Sequence, residues 1–161
     1  MKKDMMSEYF DKLTGEQKRD FMAIHDLLCQ LGYKPAKANT QELNIVFKNG
    51  QTREHIAKFS IENDRPVLKI KFYSSKNYSG LFAEAIRKTI EEYDYKYTGC
   101  YRCGQCHNRR RGYDYTYPDG RHYFRCGKEL TAIYDFQHHD LEEIQYLINK
   151  HHQYLVSMIS Q

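Results

Sequence analysis

The sequence predicts an α+β fold: an antiparallel meander sheet with flanking N- and C-terminal helices and an inserted cysteine-rich β-hairpin lobe. Three observations predict it. Apolar and polar residues alternate in three consecutive runs separated by turn residues. Stretches around those runs carry apolar residues at helical spacing. Four of the five cysteines fall in one basic segment around a proline–glycine turn.

The first helix signal is at Thr14, which forms a capping-box pattern with Gln17. Phe21, Ile24, Leu28 and Leu31 follow at helical spacing, and Gly32 is a stop. Cys29, alone beside Leu28, reads as a small buried hydrophobe. In the meander, Leu43, Ile45 and Phe47 form the first run, and Asn49-Gly50 supplies the positive φ of a tight turn. Ala57, Phe59 and Ile61 form the second run, Asn63-Asp64 the next turn, and Leu68, Ile70 and Phe72 the third.

Ser79 is an N-cap for a second helix whose apolar side holds Leu81, Phe82, Ala85, Ile86, Ile90 and Tyr93. Tyr113 to Tyr117 and His122 to Cys126 flank Pro118-Asp119-Gly120, which reads as a hairpin. Thr131 to Phe136 adds a further strand. Asp140 with Glu143 caps a last helix that buries Leu141, Ile144, Ile148 and Leu155.

At 161 residues the chain is one domain, 1–161, with the lobe at 98–128 inserted in it. A composition of 40% hydrophobic and 29% charged residues excludes a disordered or fibrous class. No run approaches the length of a membrane span, and the first residues lack the apolar core of a secretory signal, so a cytoplasmic location is expected. The net charge is +4, but seven cations against two carboxylates between Thr98 and Lys128 give that segment +5 and leave −1 for the rest. Only the lobe could therefore attract an anionic partner.

The lobe carries the main chemical lead. Cys100 and Cys103 form a C-x2-C pair followed by glycine, a spacing that aims two sulfurs at one ion. Tyr123 to Gly127 looks like a second knuckle whose first cysteine is a tyrosine, and the nineteen residues between Cys103 and Tyr123 suit a zinc ribbon. Cys106 supplies the missing thiolate. The candidate metal site is Cys100, Cys103, Cys106 and Cys126, with His107 and His122 in reserve. Four thiolates suit tetrahedral zinc, and a closed site leaves no position for substrate. The same first half resembles the C-x2-C-x2-C run of iron–sulfur clusters. Unligated thiols and a thiol-redox switch activated by neighbouring arginines also fit the spacing.

Arg109, Arg110 and Arg111 lie within a segment holding eight of the fifteen tyrosines, a combination that suits a single-strand nucleic-acid surface. Against this, cross-strand tyrosines stabilise a hairpin by themselves, and the arginines fit a solvated turn. The doublets His138-His139 and His151-His152 force no catalytic arrangement, and the second pair reads as cations favoured late in a helix. No phosphate-binding loop, zincin or dinucleotide motif is present in the sequence.

The runs Tyr-Thr-Gly-Cys-Tyr-Arg-Cys-Gly-Gln-Cys, Tyr-Thr-Tyr-Pro-Asp-Gly-Arg and Phe-Arg-Cys-Gly-Lys-Glu-Leu, within 97–130, resemble a poorly characterised bacterial domain found alone or beside helix-turn-helix regulators. The resemblance places that domain's four cysteines on Cys100, Cys103, Cys106 and Cys126, implies no activity, and leans toward regulation. The expectation is a zinc-stabilised binding, sensing or regulatory module without catalysis, acting on an unidentified small molecule or protein. A thiol-redox or iron–sulfur protein and a nucleic-acid binder are the alternatives.

Overall fold

The computed structural model describes residues 4–96, 98–99 and 111–159. It confirms the α+β class. Two N-terminal helices, α1 (Met5–Phe10) and α2 (Gly15–Gln30), precede four strands, β1 (Tyr33–Lys37), β2 (Asn44–Asn49), β3 (His55–Glu62) and β4 (Arg65–Ile70). Helix α3 (Gly80–Glu92) leads to the hairpin β5 (Gly112–Thr116) and β6 (His122–Cys126). Strand β7 (Thr131–Ile133), a 3-10 turn (His138–Asp140) and helix α4 (Leu141–Ile159) complete the chain.

The main sheet is antiparallel with order β1-β2-β3-β4-β7, and β5-β6 forms a separate two-stranded sheet. The hairpin thus interrupts the path from α3 back to the sheet edge. The meander lies where alternation puts it, and its register pairs Phe47 with Ala57 and Phe59 with Leu68. Phe59 stands at the centre of the helix-covered face, with ring centroids 4.7 Å from Phe47, 5.1 Å from Phe21 and 5.4 Å from Tyr9. Fully burying one such aromatic contributes about 1.5–3 kcal/mol, so this cluster anchors α1 and α2 on the sheet.

Helix α2 runs from the Thr14 cap, where the Thr14 N–H reaches Gln17 Oε1 at 3.5 Å, to Gly32 at φ +92°. At Asn63-Asp64 both residues have positive φ (52° and 62°), as a two-residue hairpin turn matched to strand twist requires. Asn49-Gly50 behaves differently from expectation. The loop is longer, its positive φ falls on Arg53, and Asn49 Oδ1 instead accepts the N–H groups of Gln51 and Thr52 at 2.7 and 3.1 Å. A register shift between Phe47 and Lys48 accompanies it.

Three other expectations need correction. Cys29 is exposed, because the buried stripe of α2 runs through Phe21, Ile24 and Leu28 and the next residue turns about 100° away. Glu143 does not cap α4; its carboxylate accepts the Ser79 N–H at 2.8 Å and ties the start of α3 to α4. His151 is not a cation near a helix end. It is fully buried, and desolvation, with Lys71 nearby, pushes its pKa down to about 3, so it is neutral at physiological pH.

Two elements were not expected. Helix α1 is short but buries Met6 and Tyr9, the latter donating from its hydroxyl to the Ser60 carbonyl at 3.1 Å. Strand β1 is an edge strand with Pro35 in it, the position where a missing N–H is tolerated. Among the described residues, no helix is long and apolar enough to cross a membrane.

Candidate metal centre

Of the nine residues singled out for the site, Cys126, His122 and Arg111 are described; Cys100, Cys103, Cys106, His107, Arg109 and Arg110 lie outside the described residues. The geometry that bears on the cluster is therefore that of its root.

Strand β6 carries Cys126 at its end because the Pro118-Asp119-Gly120 turn sets the register. Gly120 takes φ +93°, and Tyr117 N–H reaches the Arg121 carbonyl at 2.8 Å. Pairing then runs from Thr116 with His122 to Gly112 with Cys126. On the other side of β6, Gly99 makes a parallel bridge to Arg125, and its N–H donates to the Phe124 carbonyl at 2.6 Å. Just past Cys126, the Gly127 N–H donates to the Arg111 carbonyl at 2.8 Å. The chain thus leaves the described structure on one side of the Cys126 strand and returns on the other. Strand spacing of about 4.8 Å to each side puts those two points roughly 10 Å apart.

Two glycines make this root possible. A Cβ at Gly112 would stand 2.2 Å from the Arg125 carbonyl oxygen and 2.6 Å from the Phe124 ring. One at Gly127 would stand 2.5 Å from the Tyr73 ring and 2.8 Å from the Arg111 carbonyl oxygen. Cys126 itself is 6% exposed and forms no disulfide among the described residues. A buried thiol at a strand end between two chain crossings is a suitable donor for a structural ion.

Tyr113 fastens the lobe to the domain. It is fully buried, its ring lies 5.0 Å from Phe72, and its hydroxyl oxygen accepts the Phe72 N–H at 3.1 Å. Burial pushes its pKa up to about 12 despite that hydrogen bond. Four further tyrosines pack on one another: Tyr95 lies 4.9 Å from Tyr123, and Tyr117 lies 5.0 Å from Tyr115 and 5.8 Å from Tyr123. The Arg121 guanidinium stacks 4.6 Å from the Tyr117 ring. Rings used in this way hold the hairpin together.

His122 stands four residues before Cys126, about 13 Å along an extended strand. Its ring nitrogens meet Asp114 Oδ1 at 2.9 Å and Thr116 Oγ1 at 2.8 Å, so its partners are those of its own hairpin. Glu16, Asp20 and His138 form a second group with donor atoms within 4.8 Å of one another. There the His138 Nδ1 lies 2.6 Å from buried Asp20, and that hydrogen bond raises the histidine's pKa. Nδ1 is thereby engaged by Asp20, and the contact reads as a hydrogen-bonded His–Asp pair. Nothing in the sequence marked it, because burial of Asp20 depends on the later docking of the 3-10 turn.

The sequence reading also missed the surroundings of Arg125. This residue entered only in the charge count, yet it is 6% exposed and lines a pocket on the open side of the sheet. No family model, curated protein or solved structure matches this chain.

Proposed function

We propose that this chain is a metal-stapled binding module without catalysis of its own, in which Cys100, Cys103, Cys106 and Cys126 hold one zinc ion. The single observation that supports this reading is the root geometry: Gly99 and Arg111, which bound the three-cysteine run, are both hydrogen-bonded to β6 or its continuation within two residues of Cys126. A polar, glycine-containing run with few apolar residues gains little from a hydrophobic core, and a tetrahedral ion supplies local folding energy instead. Four thiolates would close the coordination shell and leave the ion a structural role.

Regulation or sensing is the role toward which the resemblance over 97–130 leans, and a cytoplasmic setting, where thiols stay reduced, suits it. The half-buried, mutually packed Tyr95, Tyr117 and Tyr123 favour this reading over a nucleic-acid surface, because stacked bases need free ring faces. Elemental analysis of protein purified without chelator tests it: about one zinc per chain is expected. A brown protein with visible absorbance would replace zinc by an iron–sulfur cluster, and metal-free protein with a fast, low-pKa thiol would replace it by redox chemistry.

A further inference from the structure

We propose that the pocket lined by Arg125 and Lys58 binds a small oxyanion, a phosphate or carboxylate group, as the ligand of this module. The inference rests on the binding-module reading but not on the metal.

The pocket encloses about 220 Å³. It lies between the face of β3, β4 and β7 opposite the main helical cover, the end of α3, and the turn that follows Cys126. That volume is below the range of drug-sized sites and suits a few waters or one small anion.

Its interior is cationic. Arg125 is 6% exposed, and among the described residues its guanidinium reaches only the Leu130 carbonyl and Thr131 Oγ1, both at the long distance of 3.4 Å. Among the described residues no carboxylate lies within ion-pair distance of it. A buried guanidinium without a counter-ion is costly, and an anion placed against it relieves that cost. A planar fork with five donors is built to hold two oxygens of one anion.

Lys58 stands on the same face of the sheet, half-buried and likewise without an ion pair among the described residues. Burial, and then the neighbouring Lys69, lower its pKa against the opposing pull of Glu62 and Glu129. The inner carboxylate is already committed: Glu62 binds Lys69 Nζ at 2.6 Å and accepts the Tyr134 hydroxyl at 3.1 Å. Glu92 and Glu129 also line the pocket, but both are exposed and sit where solvent screens them, as does Lys128. An oxyanion on Arg125 would thus meet fixed positive charge inside and a mixed, solvated rim outside.

Isothermal titration calorimetry of the full chain with inorganic phosphate, and separately with malonate, at ionic strength matched by sodium chloride, tests the proposal. Saturable binding of at least one of the two is expected, and the tighter one identifies the anion chemistry. Lys58→Gln should weaken that binding at least tenfold, and Arg125→Gln should abolish it, while Lys12→Gln should leave it unchanged. If Arg125→Gln fails to fold, Lys58→Gln decides. Absence of saturable heat with both anions, or wild-type affinity in Lys58→Gln, would overturn the proposal. Zinc content measured on the same samples keeps the two readings apart: a metal-free chain that still binds phosphate refutes only the zinc.

Discussion

His151 gives the sharpest stability prediction. It sits inside α4, fully buried, with Nδ1 3.0 Å from Ser74 Oγ and its ring 4.5 Å from Tyr73. Its Nε2 has no hydrogen-bond partner among the described residues. Burial, helped by Lys71, lowers its pKa from an ordinary 6.5 to about 3. Between those two values the unfolded chain binds a proton that the folded chain refuses. Stability contributed by the neutral ring is therefore complete above pH 6.5 and is lost progressively as pH falls toward 3. At about 1.4 kcal/mol per pH unit, the full window amounts to roughly 5 kcal/mol, and the span from pH 7.5 to pH 5 to about 2 kcal/mol. Replacing the ring by a side chain that does not titrate, His151→Leu, removes that slope while keeping a buried apolar volume. Urea unfolding at the two pH values and constant ionic strength, on wild type and variant, isolates the residue because all other titrations cancel in the difference. The wild type should lose about 2 kcal/mol more than the variant on going to pH 5. Equal losses would show that His151 is not held neutral, and the packing assigned to it would be wrong.

Two further substitutions probe the framework. Tyr113→Phe removes the acceptor of the buried Phe72 N–H and should destabilise by about 1–3 kcal/mol in urea unfolding; a change within 0.5 kcal/mol would mean that this N–H is satisfied by other means. Asp64→Gly relieves a left-handed residue at φ +62° in the β3–β4 turn and should stabilise by up to about 1 kcal/mol; a loss of stability would mean that the Asp64 side chain holds the turn.

The meander was legible because its core side is continuous: Ala57 and Phe59 flank Lys58, Leu68 and Ile70 flank Lys69, Ile45 and Phe47 keep the same spacing around Val46, and turn residues stand between the runs. Strand β1 was not legible, because Tyr33-Lys34-Pro35-Ala36-Lys37 buries only its first residue and takes its order from pairing with β2. Helix α1, at six residues, is too short to show a period. In the lobe, the proline–glycine turn and the knuckle spacing placed Cys126 at a strand end, where it is found. The pocket was not legible for a physical reason. The last three residues of β6, Phe124, Arg125 and Cys126, are all buried, so both faces of the strand end are covered, one of them over a charged side chain. Alternation in a sequence does not reveal a buried arginine, because its burial depends on β7 and α3 meeting around it.

Metal content of Cys126→Ser, measured beside wild type and Cys29→Ser, tests the central claim most directly. Wild type and Cys29→Ser, whose thiol is exposed on α2, should each carry about one zinc per chain, and Cys126→Ser should lose it while the meander stays folded. Full metal content in Cys126→Ser, or none in the wild type, would contradict the account.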